Sequence, residues 1–180
     1  MTTSSPGRIG MSHPDRWLAM LRIVVGLYFV KALWTKLSIT LVGGFFPLPI
    51  VSERWIGVMP TLVEKQAAGN PILFYKAFLE EVVLPNARLF AQLTAWGEVL
   101  VGIGLTLGLL NGFAALVGLL LSISYGLATQ WMTPNQFGFH LVLVTVMLAF
   151  FMTRAGRGWG LDAWLAWRFP DSWVTKRPWS

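Results

Sequence analysis

The fold of this chain is decided by residues 99–153, which read VLVGIGLTLGLLNGFAALVGLLLSISYGLATQWMTPNQFGFHLVLVTVMLAFFMT. This stretch contains no Lys, Arg, Asp or Glu. A globular protein needs charged residues on the wet faces of its helices, whereas a chain that crosses lipid avoids them, because a charge at the bilayer centre costs at least about 2.5 kcal/mol. The sequence therefore predicts an integral membrane protein.

Four segments are apolar over the length that the hydrocarbon core requires, which is about twenty residues per helix. We predict spans over residues 17–40, 88–110, 112–131 and 137–153, with an outer loop over residues 41–87. The expected fold class is all-α, an integral membrane four-helix bundle over residues 15–169 whose long outer loop carries an interfacial amphipathic helix. Residues 1–14 are predicted to be a flexible tail, and residues 170–180 a C-terminal cytoplasmic tail.

The positive residues concentrate near the two ends of the chain. Arg16 and Arg22 lie at the start of the first span, and five basic residues follow the last one, namely Arg154, Arg157, Arg168, Lys176 and Arg177. The positive-inside rule therefore predicts that both termini are cytoplasmic and that the long loop is outside, which agrees with an even number of spans. This distribution explains the net charge of +6 without a nucleic-acid partner, and the lipid bilayer is the expected partner.

The chain has no cysteine and two histidines, of which only His140 lies in a predicted span. Without cysteine the chain cannot bind an Fe–S cluster through thiolates or attach a c-type haem. A haem with two axial histidines would need a second histidine on a facing helix. We therefore expect no haem, Fe–S cluster or metal site in this chain alone.

Small residues recur every four positions in spans two and three, where they form the stripes Gly104, Gly108, Gly112 and Ala114, Gly118, Ser122, Gly126. Residues four apart share a helix face, and small residues let two helices approach closely in lipid. The connection between the two spans is very short, so we predict that the stripes contact each other. The alternative is that they form the seam of a homodimer.

The outer loop contains a helix signal. Asn70 and Pro71 are typical of a helix start, and we predict an amphipathic helix over residues 72–84. Its apolar side would comprise Leu73, Phe74, Ala77, Phe78 and Val82. Pro85 would end this helix, and Asn86 would cap span two.

The few charges within the spans are the candidates for function, because ionisable residues in membranes mark sites or pathways. By their depth, Lys31, Lys36, Glu98 and His140 share the outer half of the bundle, where Gln92, Tyr125 and Gln130 add hydrogen-bonding groups. Arg22 lies near the inner surface, where its side chain is expected to snorkel toward water.

Two interpretations of Glu98 remain open from the residues alone. It forms a structural ion pair with a lysine of span one, or it is a proton-accepting carboxylate beside a ligand pocket. Depth favours Lys31 as its partner. The predicted pocket is bounded by Lys36, Glu98 and His140, roofed by the 72–84 helix and walled by aromatic residues, which are Trp34, Phe90, Trp96 and Phe139.

Three stretches of the sequence carry a family resemblance. They are LRIVVGLYF at 21–29 running to WTKL at 34–37, GEVLVGIGLTLGL at 97–109, and GRGWGLD at 156–162. Together they resemble the DoxX/DoxD family of four-helix membrane proteins. The long outer loop is more similar to the DoxD side, the small subunit of thiosulfate:quinone oxidoreductase.

The resemblance implies a quinone-linked redox role and another membrane or peripheral subunit that handles the electrons. It carries over Arg22, Lys36 and Glu98 by position, so it favours Lys36 over Lys31 in the ion pair. The candidates for proton chemistry are then Glu98, Lys36 and His140, and those for binding quinone are Lys31, Trp34, Trp96 and Phe139. We expect the cytoplasmic membrane of a prokaryote. The alternatives are a non-catalytic accessory subunit of a larger membrane complex and, third, a small transporter, so an enzymatic role stays open.

Overall fold

The computed structural model describes residues 14–153, 155–172 and 175. The predicted N-terminal tail therefore lies outside the described residues except for Pro14, which begins the first helix. The predicted C-terminal tail over residues 170–180 is described only in part.

In chain order the elements are α1 (Pro14–Val30), α2 (Ala32–Thr35), β1 (Leu37–Val42), β2 (Phe46–Val51), α3 (Glu53–Ala68), α4 (Leu73–Phe78), a π-helix (Leu79–Val83), α5 (Ala87–Leu107), α6 (Asn111–Thr129), α7 (Pro134–Met152), a 3₁₀ turn (Ala155–Arg157) and α8 (Leu161–Arg168). Four segments of the described chain are long and apolar enough to cross a membrane, Asp15–Thr35, Ala87–Leu107, Asn111–Thr129 and Pro134–Met152. This confirms the predicted helical membrane fold. The first span ends at Thr35 rather than at residue 40, because the chain there turns into a strand.

The bundle is held together by close backbone approach at glycines. A Cβ at Gly26 would lie 2.5 Å from the backbone nitrogen of Thr106, and one at Gly102 would lie 2.7 Å from that of Val30. The backbones of α1 and α5 are therefore in direct contact, which only glycine permits at these two positions. Close packing of this kind replaces the hydrophobic effect as the source of helix association in lipid.

The predicted contact between the two small-residue stripes is correct only at one end, where a Cβ at Gly104 would lie 2.7 Å from Cβ of Ala114. Further along, the nearest neighbours of the α6 stripe are on α7, although a Cβ at Gly118 would also lie 3.2 Å from Cγ1 of Val101 on α5. A Cβ at Gly118 would lie 2.7 Å from Sδ of Met147, and one at Gly126 would lie 3.3 Å from Cβ of His140. A stripe indicates a close approach but not the helix that makes it, which is why the partner was wrong.

Gly108 does not belong to a helix face at all. It ends α5 in the left-handed region with φ of 62°, and Leu109 then donates a backbone hydrogen bond of 2.9 Å to Gly104. This is the usual way in which glycine terminates a helix.

Directly after the first span the chain forms a β-hairpin, which the sequence analysis missed. Strands β1 and β2 are antiparallel and pair from Leu37↔Val51 to Val42↔Phe46, and Gly43 and Gly44 turn the chain with positive φ. Its side chains are nearly all exposed. The two prolines of β2 argue against a central strand, but a two-stranded sheet has only edge strands, where proline is tolerated.

The second missed element is α3. Ser52 caps it by accepting a hydrogen bond of 3.2 Å from the backbone N–H of Trp55. Its buried residues Met59, Val63 and Ala67 recur at intervals of four and pack on α4, the π-helix, α5 and α6 in a second core cluster. Pro60 lies inside the helix, where proline is unfavourable, so the sequence did not predict a helix here.

The predicted helix over residues 72–84 is divided into α4 and the π-helix, and its buried face differs from the prediction. Tyr75, Leu79 and Val83 are buried, whereas Leu73 and Phe74 of the predicted apolar side are exposed. In a membrane protein apolar residues also face outward, so hydrophobicity alone does not identify the buried face.

Asparagines flank this helical segment, and neither caps as predicted. The side chain of Asn70 accepts from the backbone N–H of Ile72, which is itself the N-cap position. The side chain of Asn86 donates to the carbonyl of Val82 rather than capping α5.

At the opposite end of the bundle, Arg22 is fully buried, so the predicted snorkelling is wrong. Its guanidinium donates hydrogen bonds to backbone carbonyls on α5 and on the turn before α8, namely those of Leu105, Thr106, Gly158 and Trp159. The carbonyls at the C-terminal end of a helix carry partial negative charge and attract a cation, which explains why the side chain points inward.

Asp162 on α8 closes the same end of the bundle. Its carboxylate accepts hydrogen bonds of 2.7 and 2.9 Å from the backbone N–H groups of Leu110 and Asn111 at the start of α6. Burial raises the pKa of the Asp162 carboxyl, and these two donors and the charge of Arg22 act in the opposite direction.

Candidate functional site

A buried ion pair lies at the centre of the site. Nζ of Lys36 is 2.7 Å from Oε1 of Glu98, and both side chains are about one-tenth exposed. Glu98 is in the middle of α5, whereas Lys36 follows α2, where its carbonyl accepts a hydrogen bond of 2.9 Å from Ser52 at the base of the hairpin. The strands thus position the lysine over α5. The structure answers the question that the residues left open, since Lys36 and not Lys31 pairs with Glu98.

Tyr125 of α6 completes the cluster. Its hydroxyl donates a hydrogen bond of 2.8 Å to Oε1 of Glu98, the same oxygen that meets Lys36. Both of these contacts fall on Oε1, and neither uses the other carboxylate oxygen, Oε2. A carboxylate has acceptor capacity on both oxygens, so Glu98 retains the ability to bind a donor that enters from outside the protein.

Trp55 of α3 covers the lysine. Nζ of Lys36 lies 4.0 Å from the centroid of the Trp55 ring, and the indole N–H donates a hydrogen bond of 3.0 Å to the carbonyl of Ala91. A cation over the face of a tryptophan is attracted to the ring, most strongly when it is shielded from water. The missed helix α3 therefore supplies part of the site.

His140 of α7 lies on the far side of the same site. Its Nε2 is 3.0 Å from the hydroxyl oxygen of Thr129, and that hydroxyl donates its one hydrogen to the carbonyl of Tyr125. Nε2 must then be the donor to Thr129, which makes Nδ1 the acceptor in a neutral imidazole. Nδ1 is buried and has no partner in the described part of the chain.

These groups surround one cavity of about 320 Å³, which we call the Glu98 cavity. Lys36, Glu98, Tyr125 and His140 line it together with aromatic and aliphatic side chains. Its roof is formed by α3 through Trp55, Met59, Leu62 and Gln66. The prediction that the 72–84 helix forms the roof is wrong, because no residue of that segment lines the cavity.

The other predicted binding residues divide into two groups. Phe139 and Lys31 line the Glu98 cavity, and Nζ of Lys31 lies 3.8 Å from the centroid of the Tyr28 ring. Trp34 and Trp96 do not line it, because they are 70% and 43% exposed on outward faces of their helices. The expected wall residue Phe90 lines a neighbouring cavity instead.

Within residues 14–153, 155–172 and 175, no group of three or more His, Cys, Asp or Glu residues is arranged to hold a metal ion.

Fold and site together define a class: a polytopic membrane protein of four spanning helices with a lysine–glutamate–tyrosine cluster beneath a structured outer loop. The chain belongs to the DoxD family, since the family described as "TQO small subunit DoxD" matches residues 17–178. The resemblance inferred from the sequence is thereby confirmed. No curated protein and no solved structure matches the chain.

Proposed function

We propose that this protein is the quinone-binding membrane subunit of a thiosulfate:quinone oxidoreductase and that the Glu98 cavity holds the quinone head group. The observation that supports this most is that Lys36 and Tyr125 both contact the same oxygen of Glu98, Oε1. A buried carboxylate that Lys36 and Tyr125 hold through one oxygen would offer its second oxygen, Oε2, to a ligand in the cavity.

The volume and lining of the Glu98 cavity suit an aromatic ligand that carries polar groups. Ligand sites are mostly apolar with a few placed polar groups, and they measure about 300–1,000 Å³. Tyr28, Trp55 and Phe139 offer ring faces, while Lys36, Glu98 and His140 offer polar groups. The lysine would donate to a carbonyl oxygen of the quinone, and Oε2 of Glu98 would accept from a hydroxyl of the quinol.

The proton chemistry follows from the stoichiometry of quinone reduction, which takes up two electrons and two protons. The electrons would come from a second subunit, which the description of the family as a small subunit supports. The protons would come from groups that touch the head group, and positioned acids and bases of this kind accelerate proton transfer. Lys36 would donate one proton from its ammonium group, and Glu98, after taking up a proton from water, would donate the other.

The same contacts also support a second candidate function, a non-catalytic accessory subunit. Lys36, Glu98, Tyr125 and Trp55 connect the end of the first span to α3, α5 and α6. A cluster of this kind would hold the outer loop on the bundle even if no ligand entered the cavity.

Quinone binding to the purified protein separates the two functions. A short-chain quinone that enters the Glu98 cavity quenches Trp55, so titration should lower tryptophan fluorescence in the native protein and much less in Trp55→Phe. Glu98→Gln and Tyr125→Phe should weaken binding at least about tenfold, which corresponds to 1.4 kcal/mol. The matched control is Glu80→Gln at an exposed position of the π-helix, and this variant should bind quinone as the native protein does. Equal affinity in all variants would favour the accessory function.

A further inference from the structure

A second cavity of about 350 Å³ lies beside the first, between α3 and the α4–π-helix segment on one side and α5 and α6 on the other. We call it the tail cavity. Its walls carry aliphatic and aromatic side chains, among them Val63, Leu79 and Val83, and none of the described residues that line it is charged.

Three of the hydroxyl groups in its walls are already bonded within the protein. Tyr75 donates to the carbonyl of Ser124 at 2.8 Å, Thr94 donates to that of Ala91 at 3.1 Å, and Tyr125 donates to Glu98. Burial raises the pKa of the Tyr75 phenol, so this hydroxyl stays protonated and keeps donating. Apart from the side chains of Gln66 and Ser124, the lining of the tail cavity is therefore hydrocarbon or already hydrogen-bonded.

The tail cavity opens between two spanning helices. Leu93 on α5 and Leu120 on α6 both line it, and they are 56% and 59% exposed. Because the exposed faces of spanning helices meet lipid, a hydrocarbon chain can enter sideways from the bilayer without crossing water.

The two cavities adjoin. Four side chains line both of them, namely Met59, Gln66, Thr94 and Tyr125. The hydroxyl of Tyr125 thus points to Glu98 while other atoms of the residue form a wall of the tail cavity.

The backbone beside the tail cavity has an uncommon geometry. The π-helix contributes its buried residues Leu79 and Val83 to the wall, and Leu84 donates to the carbonyl of Leu79 at 2.9 Å across five residues. Such segments are rare and occur mostly at functional sites. Here the wider turn lies directly against the cavity.

We propose that the tail cavity binds the hydrocarbon chain of the same quinone whose head group lies in the Glu98 cavity. The inference rests on the proposed function, and it assigns the substrate class as a quinone with a long apolar chain. The chain would extend from the head group past Tyr125 and Thr94 toward Leu93 and Leu120. Burial of its methylene groups would raise the affinity over that of the head group alone.

The test compares a chain-free quinone with its decyl analogue, both tritium-labelled, by equilibrium binding to the purified protein. Leu93→Trp narrows the mouth of the tail cavity at an exposed position, where the larger side chain is tolerated. Leu107→Trp is the matched control, since Leu107 is an exposed leucine of the same helix that is not among the residues lining either cavity.

We expect the decyl quinone to bind the native protein at least about tenfold more tightly than the chain-free one. Leu93→Trp should remove that advantage and leave the chain-free affinity unchanged, and Leu107→Trp should retain the advantage. An advantage of equal size in Leu93→Trp would overturn the tail site and leave the proposed function standing.

The failure of the proposed function has a different signature. In that case the chain-free quinone would not bind, or would bind Glu98→Gln as tightly as the native protein. If decyl quinone binding were then blocked by Leu93→Trp but insensitive to Glu98→Gln, the cavity would hold a chain without a head group at Glu98, which also overturns the proposal made here.

Discussion

Nζ of Lys36 lies 2.7 Å from Oε1 of Glu98, and this ion pair joins the C-terminal end of the first span to the middle of α5. Depth along a straight helix pointed to Lys31 instead. The helix is interrupted at Lys31 and ends at Thr35. Lys36 therefore lies at the turn into β1, from which its side chain reaches Glu98, whereas Lys31 is exposed. The family resemblance identified the correct lysine where geometry from the sequence did not.

The ion pair predicts a specific pattern of stability. Removing one partner of a buried pair leaves the other charge uncompensated, so Glu98→Gln and Lys36→Met should each destabilise the protein by about 3–5 kcal/mol. The double variant should lose less than the sum, with a coupling energy of about 0.5–3 kcal/mol. Thermal or denaturant unfolding in a mild detergent measures all three.

Lys31 supplies the control for this comparison of single and double variants. Lys31→Met combined with Glu98→Gln should be additive, because Lys31 contacts the Tyr28 ring rather than the carboxylate. The pairing of Lys36 with Glu98 would be contradicted if the stability losses of Lys36→Met and Glu98→Gln were also additive. It would likewise be contradicted if Glu98 were coupled to Lys31 instead.

Arg22 predicts a second stability effect at the opposite end of the bundle. Arg22→Met removes the donor to four carbonyls and should cost at least about 2 kcal/mol, since hydrogen bonds to charged groups contribute about 1.5–3 kcal/mol each. Arg22→Lys should recover little of the lost stability, because an ammonium group cannot reproduce the planar set of N–H donors of a guanidinium. Arg16→Met, at an exposed position of the same helix, is the control. A native melting temperature for Arg22→Met would show that the side chain is not buried as described.

Gly108 predicts a backbone effect that differs from helix packing. A Cβ there would lie 2.6 Å from Nη1 of Arg22, and φ is 62°, so Gly108→Ala should destabilise the protein by at least about 1 kcal/mol. Gly138 lies within α7 with nothing within 4 Å of its added Cβ, so Gly138→Ala should be neutral or stabilising by up to about 1 kcal/mol. Equal melting temperatures for both variants would count against the left-handed cap.

The orientation in the membrane is a prediction from charge alone. The chain has no cysteine, so single cysteines report cleanly. In intact cells an impermeant thiol reagent should label Thr61→Cys, which is exposed on α3 in the outer loop, and should not label Ser4→Cys until the membrane is opened. The reverse pattern would invert the topology.

The sequence was most informative where lipid imposes a strong constraint. The absence of charge over residues 99–153 is a consequence of spanning a bilayer, so the four helices could be read from composition. The cost of burying ions likewise singled out Lys36, Glu98 and His140, which the structure brings to one cavity.

The outer loop was harder to predict because its signals conflict. Gly43 and Gly44 indicate the turn of a hairpin, but Pro47 and Pro49 argue against a strand after it. Pro60 likewise argues against a helix where α3 forms. Trp55, and with it the roof of the site, was missed for that reason. Trp34 and Trp96 were assigned to the site by depth alone, but depth does not say which way a side chain points around the helix axis.

The most direct measurement of the central claim is photolabelling of the purified protein with a short-chain azidoquinone, followed by mapping of the adducts by mass spectrometry. If the head group lies in the Glu98 cavity, adducts should fall on its walls, at Tyr28, Trp55, Met59 or Phe139, and excess unlabelled quinone or Glu98→Gln should suppress them. Adducts confined to outward residues such as Trp34 and Trp96, and unaffected by competitor or by Glu98→Gln, would contradict it.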